Sequence, residues 1–293
     1  MKRLLLLSLI AVSLAAAGAT SSARPPALLT YSVSSQSGSG LCVARAEGSR
    51  RFRLTRGKDS QPSWSPRGSY VAFARLTAPG QSQILVADAR GRVLRRFGTG
   101  FSTEPARSPN GQRIAYTSGS RLIVANRAGQ TIVEHSIPGL AGGPTWSPDS
   151  RRLAFTVAVT IDEGAGAQAQ RGIYVMNADG TGRRLLVVNA IDPAWSPNGS
   201  KIAYVAYRSR LADGGFVTVA NADGTGARRL TASGEDEAQP AWSAGGGQIA
   251  FMRGGAIVVA PSAGGAERVA VRGALDPAWR AQVTMPSGRR RAC

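Results

Sequence analysis

The sequence is short of the residues on which catalysis and metal binding most often rest. Histidine occurs once, at His135, and cysteine twice, at Cys42 and Cys293, in 293 residues. A Ser-His-Asp device would have to depend on that one imidazole, and no Gly-x-Ser-x-Gly nucleophile elbow is present. The turns Asp179-Gly180 and Asp223-Gly224 each supply one carboxylate, whereas calcium takes about six to eight oxygens from converging groups. A hairpin turn accounts for both. No catalytic residue, metal ligand or cofactor is assigned.

Long apolar runs are missing beyond the first 17 residues. Lys2 and Arg3 precede an apolar stretch from Leu4 to Ala17, and Ala17-Gly18-Ala19 offers small residues for cleavage before Thr20. That order is the pattern of an export signal. Polar Thr20-Ser21-Ser22 ends the run short of the roughly 18 residues an anchor needs, and no cysteine follows for lipidation. The expectation is an exported chain, periplasmic or secreted, with no stable membrane insertion after cleavage.

Acidic residues are scarce as well. Asp and Glu number 17 against 36 Lys and Arg, a formal net charge of +19. Losing Lys2 and Arg3 would leave 34 basic side chains and a net charge of +17. Such an excess suits nucleic acid, anionic polymer or a membrane surface. Only three of the basic residues are lysine, however, and with the wealth of Ala and Gly this matches the codon bias of a GC-rich genome. An exported protein rarely meets nucleic acid, so none is expected as a partner.

What the sequence does have is a phrase. All five tryptophans sit in it: Pro62-Ser63-Trp64-Ser65-Pro66, Pro144-Thr145-Trp146-Ser147-Pro148, Pro193-Ala194-Trp195-Ser196-Pro197, Pro240-Ala241-Trp242-Ser243 and Pro277-Ala278-Trp279. A sixth copy, Pro105-Ala106-Arg107-Ser108-Pro109, keeps the frame and exchanges Trp for Arg. The prolines are 43, 39, 49, 47 and 37 residues apart, which is the period of stacked supersecondary units. Each unit has one grammar. Pro193 to Ser196 is a short strand, Pro197-Asn198-Gly199 a turn of the hairpin type, and Lys201 to Val205 alternates like a half-buried strand. Phe216 to Ala220 is a third strand, Asn221 to Gly226 a second tight turn, and Arg228 to Thr231 a fourth strand. Four strands in about 40 to 45 residues make a propeller blade.

The ends complete one another. Leu28 to Ser34, Leu41 to Arg45 and Arg51 to Leu54 are three strands without an opening Pro-x-Trp strand, and Asp276 to Trp279 is an opening strand without the other three. Joined, they give an all-β, six-bladed propeller whose termini share one blade. The latch brings the segment after Trp279 near Cys42, so Cys42 and Cys293 are either bridged or two free thiols. A bridge would constrain the unfolded chain by roughly 4–5 kcal/mol in the entropic model. The expected organisation is a signal peptide over 1–19, a linker over 20–27, the propeller over 28–283 and a basic tail over 284–293.

The phrases Pro-Ala-Trp-Ser-Pro-Asn-Gly and Tyr-Val-Met-Asn-Ala-Asp-Gly-Thr-Gly (Tyr174 to Gly182) resemble the WD-like repeat of the TolB-type six-bladed propeller. The resemblance covers about residues 28 to 283. TolB proteins carry an additional α/β domain ahead of the propeller, for which the stretch before Leu28 leaves no room, so a propeller alone is expected. What the resemblance implies is a protein-binding scaffold in the periplasm.

Within that architecture Trp64, Trp146, Trp195, Trp242 and Trp279 should pack between neighbouring blades. Arg107 should sit exposed at a looser boundary or pair with a carboxylate such as Glu104, as drift of the repeat. Arginines near outer strands, among them Arg51, Arg95, Arg184 and Arg229, suit edge protection. The loops between second and third strands and between blades share one face, where binding usually resides. That face should carry Asp162, Glu163, Asp213, Glu235, Asp236 and Glu237. The residues before each motif proline, Gln61, Glu104, Gly143, Asp192, Gln239 and Asp276, should surround the channel mouth. Their carboxylates either attract a basic peptide or a cation, or cap turns and neutralise inner arginines. The function expected is a monomeric, non-catalytic scaffold that binds a protein or peptide through the loop face and channel mouth. The alternative is a hydrolase or lyase, such as a carbohydrate-processing propeller, with a carboxylate site at that mouth.

Overall fold

In the computed structural model the described residues are 27–35, 38–98, 100–162, 167–208, 214–280 and 293. The expected signal peptide, nearly all of the linker, most of the basic tail, and the side chains of Asp162, Glu163 and Asp213 lie outside them.

Six antiparallel sheets of four strands surround a central channel. Chain order begins with β1 (Leu28–Ser35), β2 (Gly38–Arg45) and β3 (Phe52–Arg53). The next blade comprises β4 (Asp59–Trp64), β5 (Tyr70–Ala78), β6 (Gln81–Asp88) and β7 (Val93–Phe97). It is followed by β8 (Ser102–Arg107), β9 (Arg113–Ser118), β10 (Arg121–Asn126) and β11 (Thr131–Ser136). Then come β12 (Leu140–Trp146), β13 (Arg152–Asp162), β14 (Ala167–Asn177) and β15 (Arg184–Val188). The fifth set is β16 (Ala190–Trp195), β17 (Lys201–Ala206), β18 (Phe216–Asn221) and β19 (Arg228–Arg229). The sixth is β20 (Glu237–Trp242), β21 (Gln248–Arg253), β22 (Ala256–Pro261) and β23 (Arg268–Arg272). The last strand, β24 (Leu275–Arg280), returns to pair with β1 and completes the sheet β24-β1-β2-β3. Ring closure therefore joins the two ends of the chain by main-chain hydrogen bonds.

The tryptophans join blade to blade. Trp146, Trp242 and Trp279 donate Nε1–H to the carbonyls of Ala106, Ala194 and Ala241, each the residue between Pro and the motif position of the preceding blade, at 3.0, 3.0 and 2.9 Å. Trp64 donates instead to Thr30 Oγ1 in the latch at 2.8 Å. Four of the five rings are buried, and Trp242 packs from a half-buried position. Arginines cover two of them: the Arg280 guanidinium lies 4.4 Å from the Trp64 ring centre and that of Arg152 lies 5.0 Å from Trp195.

Between Thr160 and Gly172 the described residues are strand. β13 and β14 stay paired from Arg152↔Asn177 out to Asp162↔Ala167. The run Val157-Ala158-Val159-Thr160-Ile161, β-branched at all but Ala158, favours extended backbone, and the two strands form a long arm of the blade.

Cys42, fully buried in β2, is bridged to Cys293 with Cα atoms 6.2 Å apart across 251 residues of sequence. Cys42→Ser should lower stability by about 2–5 kcal/mol. A urea midpoint equal to that of the oxidised wild type would show that the bridge contributes nothing beyond the β24–β1 pairing.

Candidate functional site

Every inner strand carries the same irregularity. Where β4 meets β5, Ser60 pairs with Ala74 and Ser63 with Ala72, so Gln61 and Pro62 together oppose Phe73 alone. This is a β-bulge. The other five blades repeat it, setting Glu104-Pro105 against Tyr116, Gly143-Pro144 against Phe155, Asp192-Pro193 against Tyr204, Gln239-Pro240 against Phe251 and Asp276-Pro277 against Tyr31. All six opposing aromatics are buried. The residue before each proline is left-handed, with φ of 55° at Gln61, 54° at Glu104, 52° at Gly143, 54° at Asp192, 53° at Gln239 and 53° at Asp276. Only Gly143 adopts that backbone freely. At the other five positions it costs roughly 1–2 kcal/mol each, so the surroundings must impose it.

They do so through a ring of hydrogen bonds that crosses from blade to blade. The bulge turns each pre-proline N–H out of its own sheet, and the pre-proline side chain of the blade before receives it. Gln61 N–H donates to Asp276 Oδ2 at 3.1 Å, Glu104 N–H to Gln61 Oε1 at 3.0 Å, Gly143 N–H to Glu104 Oε2 at 2.8 Å, and Gln239 N–H to Asp192 Oδ2 at 3.0 Å. Two links differ. Gly143 has no side chain to offer, and Asp192 N–H turns to Thr156 Oγ1 of the neighbouring sheet at 3.0 Å. Asp276 N–H meets the Met252 sulfur at 3.4 Å, leaving Gln239 Oε1 buried without a partner among the described residues. Ser32 Oγ–H adds a 2.6 Å bond to Asp276 Oδ2 from the latch.

The six pre-proline residues line a central channel of about 350 Å³. Burial pushes the Glu104 carboxyl up to about 7, the nearby charges of Asp192 and Asp276 push the same way, and the Gly143 N–H and Thr117 hydroxyl only partly offset this. Burial likewise raises Asp192, opposed by the Gln239 N–H and assisted by Asp276. Glu104, Asp192 and Asp276 thus form a region of mutual repulsion that a cation would relieve. Among the described residues no group of three or more His, Cys, Asp or Glu could hold a metal ion.

Gln61 and Asp276 also line a second cavity of about 410 Å³, which opens on the loop face beside the channel. Leu76, Phe101 and Leu275 form its apolar wall. Phe101 is 51% exposed, and Leu140, which opens the inner strand of the adjoining blade, is 68% exposed. Large apolar side chains left this open on a loop face are the kind of patch that partners cover. Phe101, Leu140 and Leu275 each fall one to three residues before a pre-proline position, which marks them in the sequence; Leu76, in the hairpin of the same blade as Gln61, carries no such mark.

The loop-face acids divide. Glu237 is buried and belongs to the fold. Its carboxylate pairs with Arg253 at 2.5 Å and accepts from the Val217 N–H, the Ser233 hydroxyl and, at close range, the Thr231 hydroxyl. Asp59 does the same with Arg75 at 2.5 Å and the Thr55 hydroxyl at 2.6 Å, and each acid precedes its arginine by 16 residues. A carboxylate committed to a buried pair is not free to receive a ligand, because breaking such a pair strands a charge. Asp236 accepts from the Gly215 N–H at 3.0 Å and holds the loop it sits in. Glu235 is exposed. His135 lies on the outer strand β11, away from the channel.

A ring of six four-stranded blades, clasped at its inner strands around an acidic channel, defines a WD-like-repeat propeller. A family model described as the TolB beta propeller domain matches residues 105–279, and the chain belongs to that family. The Tol-Pal system protein TolB of Methylococcus capsulatus is 38% identical over 61 residues, which cover 20% of this chain and 14% of that protein. TolB from Acinetobacter baumannii superposes with a TM-score of 0.68 at 17% identity, over 87% of this chain and 66% of that one. A putative TolB from Agrobacterium tumefaciens gives 0.61 at 16%, over 86% and 92%. An oligogalacturonate lyase in complex with manganese gives 0.52 at 15%, over 84% and 74%. At such identities the structural likeness concerns the fold.

The raised Glu104 carboxyl has a measurable consequence. Its folded value of about 7 exceeds the ordinary 4.5, so folding favours the protonated acid. The associated stability is complete below pH 4.5 and is lost as pH rises through about 7, by roughly 3 kcal/mol. Glu104→Gln keeps an acceptor for Gly143 N–H and removes the charge. Its melting temperature should match wild type at pH 4.5 and exceed it at pH 8; parallel curves would show that Glu104 titrates normally.

Proposed function

We propose that this propeller is an exported, non-catalytic scaffold that takes a protein segment across its loop face. An apolar side chain of the partner seats in the groove walled by Leu76, Phe101 and Leu275, and a neighbouring Arg or Lys enters the channel mouth toward Asp276, Glu104 and Asp192. The observation that carries this reading is that the two cavities adjoin, with Gln61 and Asp276 in the lining of both. An apolar anchor beside a desolvated acidic well is what an extended peptide with alternating side chains can fill. Export rests on the pattern of Lys2, Arg3 and the apolar residues that follow. Membership of the TolB propeller family, and the relative named as a Tol-Pal system protein, support a protein partner in preference to a nucleic acid. A monomer suits a ring whose own ends are latched.

One observation favours a second reading. A carboxyl near pH 7 inside a channel, as at Glu104, is the group a general acid or base requires, and one structural neighbour is a lyase. Against it, one oxygen of each of Glu104, Asp192 and Asp276 already receives main-chain or hydroxyl donors from the ring.

Selection of random displayed peptides on the folded protein distinguishes them. Wild type should enrich sequences with Arg or Lys one or two residues from a large apolar side chain. Phe101→Asp should abolish that enrichment, and Glu104→Gln with Asp192→Asn should weaken binding of a selected peptide at least tenfold. Enrichment without basic residues, or binding indifferent to both changes, would refute the placement.

A further inference from the structure

Five blades carry tryptophan at the motif position; the blade beginning with β8 carries Arg107. Its backbone keeps the frame, and its N–H donates to Ser63 Oγ of the preceding blade at 3.1 Å. The side chain is neither at a loose, open boundary nor paired with Glu104. It is half-buried, no carboxylate among the described residues lies within ion-pair distance, and its Nε is buried without a partner. Its one contact, from Nη2 to the Gly111 carbonyl, is long at 3.5 Å. Burial lowers its pKa, and the charges of Arg127 and Arg95 lower it further.

Arg107 faces a cavity of about 270 Å³ between its blade and the preceding one, on the tight-turn side of the ring. Arg95, Arg113 and Arg127 line the same cavity, and no Asp or Glu does. Arg95 is held by the Arg127 carbonyl, and Arg113 donates Nη1–H to the Ala178 carbonyl at 3.3 Å. The remaining wall includes the rings of Tyr70 and Phe97. A ring of tryptophan at position 107 would have filled this space with apolar bulk, as its counterparts do at the other boundaries. Instead Arg107, Arg95 and Arg127 line a hollow that no carboxylate lines, while the Arg113 head reaches the following blade, and burying an arginine without a counter-charge is costly.

We infer that this inter-blade cavity is an oxyanion site for a phosphate group carried on a small apolar or aromatic body. The guanidiniums of Arg107, Arg95 and Arg127 receive the phosphate oxygens, and Tyr70 and Phe97 flank the attached group. Planar guanidinium forks match phosphate oxygens in pairs. The cavity is larger than inorganic phosphate needs, and its apolar wall favours an ester over the free ion. The site stands on the opposite side of the ring from the proposed docking groove and does not depend on it.

Calorimetric titration with inorganic phosphate and with phenyl phosphate tests the inference on the oxidised full-length chain. Phenyl phosphate should bind at one site and at least tenfold more tightly than phosphate. Arg107→Trp restores the residue found in the other blades, so it should fold with an unchanged or higher melting temperature and lose at least tenfold in affinity. Should that variant fail to fold, Arg127→Gln, at an exposed position, should lose affinity with the melting temperature kept. Arg90→Gln, outside the cavity, should change neither. Equal affinity for the two ligands would overturn the apolar part of the site and leave a phosphate pocket only. Absence of saturable binding, or equal losses in the Arg127→Gln and Arg90→Gln proteins, would overturn the site itself.

Discussion

The structure depends on how an inner strand is fixed to its neighbour. A four-stranded blade is too small to bury both faces, and strands in different blades do not hydrogen-bond as a ladder. The bulge before each motif proline supplies the missing link. By forcing a left-handed backbone it releases one N–H per blade from the local sheet, and the neighbouring blade's side chain receives it. The proline cannot donate in any case, so its place in the bulge costs the sheet no ladder bond. The buried aromatic opposite each bulge holds the distortion from behind, and tryptophan joins the blades at the following turn of the strand.

This explains what the sequence discloses and what it hides. The Pro-x-Trp frame recurs because bulge, clasp and tryptophan act together, so the blade count, the latch and the position of the pre-proline residues could be read directly. The clasp itself could not. Left-handed backbone is normally announced by glycine, and only Gly143 does so; Gln61, Glu104, Asp192, Gln239 and Asp276 are held there by tertiary contacts that composition does not encode. Glu237 looked like its exposed neighbour Glu235 for the same reason. Its partner Arg253 stands 16 residues away across a hairpin, a separation that acquires meaning only once the Asp59–Arg75 pair is seen to repeat it. The length of the β13–β14 arm is not marked in the sequence, because the Gly- and Ala-rich stretch over 163–169 has low strand propensity.

The alternatives left open for the mouth carboxylates, ligand attraction or turn capping, are not exclusive. One oxygen of Asp192 and one of Asp276 are committed to the ring, as is one of Glu104. The clasp needs an acceptor at these positions, which a neutral amide supplies equally well, as Gln61 does for Glu104. Negative charge is therefore surplus to the architecture. Three like charges brought into one channel repel, and the Glu104 carboxyl is raised first by burial and then by the charges of Asp192 and Asp276.

Surplus charge held at a cost implies a use, and linkage states what kind. A guanidinium or ammonium entering the channel would favour the ionised form of Glu104 and reverse the terms that raise it. Binding of a basic side chain would then release a proton near neutral pH, and the stability withheld from the empty ring at alkaline pH would return on occupation. Around the ring Glu104, Asp192 and Asp276 alternate with the neutral residues Gln61, Gly143 and Gln239, so the charge is spread over the whole circumference. Gln61 and Asp276 line both the channel and the apolar groove, so in the proposed function charge recognition and apolar anchoring would meet in one stretch of the rim.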